Sequence, residues 1–292
     1  MFDRVVQGTL ETVLPDVLYH YTTWAGTEGI ISSRQFWATS HDCTNDEAEL
    51  VSADSIIVEV VKGLRANATK PTLTVLETFL ENYTDSQVTR VIPVYLVCFS
   101  ALRDDEEQWR KYADNGRGVC LGIRVVRETP PENSDTRAGI VKVDYSESSW
   151  RDHLRRSMGE VCALLNRATA SPQNQQLGLS ALYRIAAFAS IMAKKQKWEV
   201  EQEFRHVTIV HLDADLEPRE REAAGKKIRY LPVMVRAEGK RIAFAEIILG
   251  PNQNFEAATE RLKKALEANG YTVGDMEYPK ITASGLPPWD PS

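Results

Sequence analysis

The first patterned stretch, Val17 to Thr22, sets Val17, Leu18, Tyr19 and Tyr21 around His20 and predicts a buried strand. Polar groups placed among such neighbours need a partner or a ligand. Thr23 then predicts a helix cap, with Thr27 and Glu28 in the next turn and Ile30 and Ile31 on the buried side. Phe36 to Thr39 predicts a second short strand. His41 to Glu49 is too polar for a core, so Asp42, Asn45, Asp46, Glu47 and Glu49 belong on a loop or a first helical turn.

Further along, Ser55 to Val61 fits either a strand or the end of a helix, while Thr72 to Tyr83 has helical spacing. Val91 to Ser100 predicts a strand that runs into an acidic turn, Asp104 to Glu107. Gln108 to Ala113 fits one helical turn carrying Trp109 and Tyr112. Gly116 and Gly118 make a turn before a strand over Val119 to Val126, and Gly139 to Tyr145 predicts another. Leu154, Met158, Val161 and Leu165 mark one amphipathic helix. Leu179, Leu182, Ile185, Phe188 and Met192 mark a second, so a helical hairpin over residues 150–198 interrupts the strands. Glu203 to Leu212 predicts a strand, Ile228 to Val235 and Arg241 to Leu249 a hairpin around AEGK, and Phe255 to Ala268 a helix stopped by Gly270. The proline-bearing tail reads as irregular. Strands at both ends and helices in the middle predict an α+β architecture, with 1–292 taken as a single domain containing the hairpin as an insertion.

Composition narrows the function classes. A chain of 292 residues can bury a substantial core, and a formal net charge of -6 argues against coating nucleic acid nonspecifically. The basic runs Arg151 to Arg156 and Lys194 to Lys197 still allow a local nucleic-acid contact. Cys43, Cys98, Cys120 and Cys162 lack metal-ligand spacing and fit reduced thiols of a cytosolic protein, with no metal site expected. No stretch approaches the roughly 20 apolar residues that cross a bilayer, and the N-terminus lacks a signal-peptide core. The expected location is cytoplasmic, with no membrane partner.

Three segments carry candidate chemistry: YHYT at Tyr19 to Thr22, WATS and NDEAE within Trp37 to Glu49, and WEVEQEFR at Trp198 to Arg205. In an extended reading of the last, Glu199, Glu201 and Glu203 share one face, where they repel unless solvent, a cation or a ligand separates them. These segments, with CFSALRDDEEQWRKYADNGRGVCLGI between them and IILGP before the last helix, resemble the bacterial family catalogued as domain of unknown function 2971. A second resemblance supplies chemistry. YHYT is similar to the YHGT-type first motif of ADP-ribosyltransferases of the diphtheria toxin and poly(ADP-ribose) polymerase kind. WATS resembles their second-strand hydroxyl motif, and Glu201 to Glu203 their E-x-E. Tyr21 departs from the small glycine of that first motif.

The second resemblance implies a split β-sheet core and NAD as substrate. It also implies transfer of ADP-ribose to a macromolecular acceptor, protein or nucleic acid, with release of nicotinamide, as in a bacterial toxin or phage-defence effector. Cleaving the nicotinamide bond develops oxocarbenium character that a fixed carboxylate stabilises, and Glu203 is matched to that role. Glu201 is matched to positioning or deprotonating the acceptor and His20 to holding the other ribose. Thr22 orients the dinucleotide, and Tyr21 or Tyr112 stacks on nicotinamide. Trp37, Thr39, Ser40 and Asn45 complete the NAD-binding set, with Arg205 pairing Glu203, Asp46 or a phosphate. Two other readings remain open. One is a metal-dependent nuclease or hydrolase that holds magnesium or manganese on Asp46, Glu49, Glu201, Glu203 and His20. The other is a noncatalytic nucleotide-sensing module. Asn45, Asp46 and Glu49 fit a helix cap equally well, Trp109 and Tyr112 fit core anchors, and the hairpin fits packing or an acceptor platform.

Overall fold

The computed structural model of the chain describes residues 13–43, 53–86, 94–125, 136–210, 217–223, 225–235, 237–238, 241–275 and 278–290. From the N-terminus these run β1 (Val17–Thr22), α1 (Trp24–Ser33), β2 (Phe36–Ser40), α2 (Asp54–Leu64), α3 (Lys70–Ser86), β3 (Val94–Ser100), α4 (Glu106–Tyr112), β4 (Val119–Arg124) and β5 (Thr136–Lys142). They continue with α5 (Glu147–Arg167), α6 (Pro172–Met192), β6 (Glu203–Val210), β7 (Arg219–Ala223), β8 (Lys226–Val233), β9 (Ala237–Glu238), β10 (Arg241–Ile242), β11 (Phe244–Leu249), α7 (Phe255–Ala268) and β12 (Lys280–Ala283). The expected cap is in place, the Thr23 side chain accepting from Gly26 N, and Asp105 and Asn254 cap α4 and α7 in the same way, accepting from Gln108 N and Ala257 N. The open alternative at Ser55 to Val61 resolves as helix, because Ile56, Ile57, Val60 and Val61 bury one helical face.

Ten strands form an open α+β sheet, antiparallel except where β12 runs parallel to β11. Its main path is β12-β11-β4-β1-β3-β2-β8-β7, with β6 and then β5 branching from β3. The branch gives β3 its special place. One edge of β3 pairs along its whole length with β6, from Val94 opposite Ile209 to Ser100 opposite Glu203. The other edge is shared. β1 meets it at Tyr19 opposite Ser100, and β2 at Thr39 opposite Leu96 and Ser40 opposite Tyr95. The edge therefore forks around Cys98.

Side chains alternate across a strand, so register assigns each residue a face. One face carries Leu18, Phe36, Ala38, Tyr95, Val97, Phe99, Phe204, Leu231 and Ile247 and is covered by α1 and α7 through Ile31, Leu262 and Leu266. The opposite face is covered in two places. Near β1, β4 and β11, Trp109 and Ala113 of the α4 segment pack on Tyr19, Tyr21, Cys120 and Ile248. Near β3, β5 and β6, Phe188 and Ile191 of α6 pack on Leu96, Val141 and Val207. Behind α6, the helices α2, α3 and α5 share a second core with it, built on Ile57, Phe79, Leu154 and Leu182. The expected hairpin thus joins two helices earlier in the chain to the sheet.

Two expectations are corrected. The strands flanking AEGK do not pair with each other: β8 lies between β2 and β7, while β11 lies between β4 and β12. Only Ala237–Glu238 and Arg241–Ile242 form a short hairpin there. Leu231 and Val233 complement Phe36 on one flank of the sheet and Ile247 and Leu249 complement Val119 and Leu121 toward the other, so the long strands separate. The tail is also not wholly irregular, since Lys280–Ala283 adds an edge strand.

Gly116 adopts a left-handed φ of 81°, as its turn role requires. Gly118 serves close approach instead: a Cβ there would lie 2.3 Å from Thr22 O and 2.9 Å from Ala113 O. Both contacts are backbone, so neither can yield cheaply. Gly118→Ala is expected to destabilise the chain by roughly 1–3 kcal/mol in denaturant unfolding, the usual range for overpacking; an unchanged midpoint would contradict the packing at the start of β4.

Candidate functional site

Between the α4 and α6 covers a chain of ion pairs lies over the ends of β3 and β6. A helical turn over Gln196–Glu201 precedes β6, and Gln202 between them is left-handed at φ 43°. That bend corrects the expectation of three acids on one extended face. Instead Glu201 and Glu203 converge on Lys194, whose Nζ donates to Glu201 Oε2 at 2.7 Å and Glu203 Oε2 at 2.9 Å. Ser100 fixes the bend by donating to the Glu201 carbonyl at 2.7 Å.

Glu203 is bound on both oxygens. Arg205 Nε donates to Oε1 at 2.7 Å and Nη2 to Oε2 at 3.2 Å, while Nη1 donates to the Ile191 carbonyl. The backbone N–H of Glu203 donates to the Tyr145 hydroxyl at 2.9 Å. Glu201 Oε1 accepts from Lys111 at 3.2 Å and from Tyr112 at 3.1 Å. Lys194, Glu201, Glu203 and Arg205 are all buried. Burial pushes the Glu203 carboxyl up, but the charges of Arg205 and Lys194 and hydrogen bonds from Arg205 and Cys98 outweigh it, lowering the pKa from 4.5 to about 2. The group is a buried permanent anion at neutral pH. Lys111, Lys194 and Lys197 also crowd the Trp198 ring at 4.5, 5.5 and 4.7 Å from its centroid.

Cys98 lies on the same face, opposite Arg205, and stays exposed although it belongs to an internal strand. Its thiol is raised well above the ordinary value, first by burial of the sulfur in its recess and next by the Glu203 charge. Tyr112 stands beside the recess with 44% of its surface exposed. Cys98 and Tyr112 are thus places where this cluster reaches the surface, with Lys194 and Glu203 buried beneath them.

Strand register sorts the sequence candidates. Tyr19 opposite Ser100, and Ser100 opposite Glu203, put Tyr21 on the Glu203 face; Thr39 opposite Leu96 puts Trp37 and Thr39 there too. His20, Thr22 and Ser40 fall on the other face by the same alternation. His20 is half-buried, with its ring centroid 5.3 Å from that of Phe36 and 5.7 Å from that of Phe99. Its Nδ1 lies 2.9 Å from the Cys98 carbonyl, which can only accept, so Nδ1 carries the proton. Burial lowers its pKa against the opposing pull of that bond, which leaves the ring neutral. His20 therefore ties β1 to β3 inside the fork and does not share an open cleft with Glu203.

Tyr21 is buried, donating to Leu102 O at 2.8 Å and packing edge-on against Trp109. Of the two tyrosines, Tyr112 has the free ring. Asn45, Asp46 and Glu49 lie outside the described residues. Lys194, grouped by sequence with a basic surface run, is instead the centre of the buried network. Sequence reasoning missed it because KKQK reads as solvated charge, and missed Cys98 because nothing in VYLVCFS distinguishes it from a core thiol.

Residues 108–206 match a family model described as Protein of unknown function (DUF2971). The match covers about a third of the chain and contains Lys111, Tyr112, Lys194, Glu201, Glu203 and Arg205, while His20 and β2 lie outside it. None of the curated proteins and none of the solved structures compared with the chain matches it. No helix among the described residues is long and apolar enough to cross a membrane.

Acid should unfold the chain in two stages. His206, buried on β6, has its pKa lowered by burial from 6.5 to about 4, so its unfolded form binds the proton first and stability falls as pH drops through that window. Glu203 adds a second loss between 4.5 and about 2. Thermal melts across pH should lose the upper limb in His206→Asn and flatten the lower limb in Glu203→Gln; unchanged slopes would contradict these assignments.

Proposed function

We propose that the chain is an NAD-dependent ADP-ribosyltransferase whose dinucleotide binds over Cys98. One observation carries the reading: the three segments similar to transferase motifs all border a single strand. β1 and β2 share one edge of β3, and β6, which begins at Glu203, occupies the other. The fork between β1 and β2 fits the split sheet expected of such a core, and the ionised Glu203 lies beside it on the face of the exposed Cys98.

The bond broken is that between the ribose C1′ and the nicotinamide nitrogen. Nicotinamide leaves with the bonding pair as a neutral base, and the ribosyl centre gains oxocarbenium character that Glu203 stabilises. An acceptor nucleophile then bonds to C1′ and gives its proton to solvent or a base. Lys194 and Arg205 offset part of the Glu203 charge, but Lys194 sits closer to Glu201, at 2.7 against 2.9 Å. A small shift toward Glu201 removes one of the two donors on Glu203 Oε2, leaving Arg205 Nη2 at 3.2 Å and one acceptor position for the ribose hydroxyl. Glu201, which already accepts from Lys111, Lys194 and Tyr112, is a positioning residue that holds the Tyr112 ring for stacking on nicotinamide.

One observation favours a second, noncatalytic reading. The ammonium groups of Lys111, Lys194 and Lys197 gather on the one Trp198 ring, which suits an anionic ligand held without turnover. The metal-hydrolase reading loses support, because ammonium and guanidinium groups already occupy the faces of Glu201 and Glu203 that an ion would take.

Nicotinamide release from labelled NAD should fall about 100-fold or more in Glu203→Gln. In Tyr112→Ala it should fall through a raised KM, while His20→Asn should cost stability more than turnover. Release that persists in Glu203→Gln removes the assignment; thermal stabilisation by NAD with no release in the parent protein selects the noncatalytic reading.

A further inference from the structure

The Glu203 face continues past the fork onto β2, β8 and β7, where its character changes. Trp37 is 42% exposed and stacks on Tyr230 with ring centroids 4.8 Å apart. Arg221 lies with its guanidinium carbon 5.5 Å from the Trp37 ring centroid, and its Nε is buried without a hydrogen-bond partner.

Register shows how the charges divide. Arg219 is opposite Tyr230, Arg221 opposite Ile228 and Ala223 opposite Lys226, so Arg219, Arg221 and Lys226 share the face of Trp37. Glu220 opposite Arg229 and Glu222 opposite Lys227 alternate to the other face, where Lys227 reaches Glu220 at 3.4 Å. Within this ribbon the acids are segregated to one side, and the other presents three cations on the face of the exposed indole, with Arg221 against the ring. The indole also comes level with Cys98, since Thr39 is opposite Leu96 and both strands step two residues further. β2 lies two strand spacings from β6, about 10 Å.

We propose that this surface binds single-stranded nucleic acid and delivers it to the site over Cys98 as the acceptor. Only the word acceptor rests on the transferase reading; the binding does not. An exposed aromatic ring flanked by arginines is the chemistry that stacks a base and neutralises the adjoining phosphates, whatever the sequence. A base pair has no free face to give the indole, so a duplex binds less well. The net charge of -6 disfavours nonspecific coating of the rest of the chain, and the phosphate contacts of the patch make its binding sensitive to salt.

The test is fluorescence anisotropy of the intact chain, without NAD, using a labelled oligothymidylate, its ribonucleotide counterpart and a duplex of equal length. Single strands should bind more tightly than duplex, and the two single strands should rank by preference for DNA or RNA. Three phosphate contacts give a slope of log affinity against log salt of about -2. Trp37→Ala should weaken binding about tenfold, and Arg219→Glu with Arg221→Glu should reduce the slope, whereas Lys264→Glu on the remote α7 should change neither. Melting curves keep the variants honest about folding. Equal affinity for duplex, indifference to Trp37→Ala, or full displacement by polyglutamate at equal charge would overturn the proposal, the last by favouring an acidic protein partner. Binding retained in a protein that releases no nicotinamide would sink the transferase reading alone, and release without binding would sink the acceptor assignment alone.

Discussion

The contact on which the site depends is the ion chain Lys111–Glu201–Lys194–Glu203–Arg205, buried from Glu201 to Arg205. Burying a carboxylate costs several kcal/mol unless cations and hydrogen bonds replace its water. Here two carboxylates, two residues apart, are both buried and together meet three cations drawn from α4, the end of α6 and β6 itself. The chain therefore fixes how the two helices sit on the sheet. An apolar set of similar volume would hold the same elements without the desolvation cost, so the retention of charge here is itself a reason to look for a ligand.

The fork in the sheet decides what that charge can meet. A strand with β6 on one edge and two different strands on the other cannot be fully paired near Cys98, and His20 supplies the missing donor to its carbonyl. The imidazole thereby stabilises the fork from the core side, while on the opposite face the thiol and Tyr112 are exposed and Glu203 is buried. The same alternation carries that face out to Trp37 and the arginines of β7. Site and platform are two stretches of one surface, with the carboxylate at one end and the stacking ring at the other.

Much of this was legible in the sequence wherever local rules decide. Thr23 marks a helix start, and the period of Leu154 to Leu165 marks α5, because capping and burial periodicity are local. Partner choice was not legible. β8 and β11 look like a hairpin because they are adjacent in sequence, yet each finds its complement on a strand more than a hundred residues away. The charged β7 gave no strand signal because an edge strand needs no apolar face. In the site, Glu203 and Arg205 stood out through their motif, but their relation to His20 depended on register across three strands. A shift of one residue anywhere along β1, β3 or β6 would have reversed it. Lys194 had no signal, since a lysine is drawn into the interior only by acids that tertiary structure places around it.

The most direct test is a structure with a non-hydrolysable NAD analogue bound. The account predicts the nicotinamide-side ribose beside Glu203 on the Cys98 face, with the Tyr112 ring against the amide-bearing ring and Lys194 moved toward Glu201. An analogue seated on the His20 face, or one that leaves the Lys194–Glu203–Arg205 contacts covered and untouched, would contradict it.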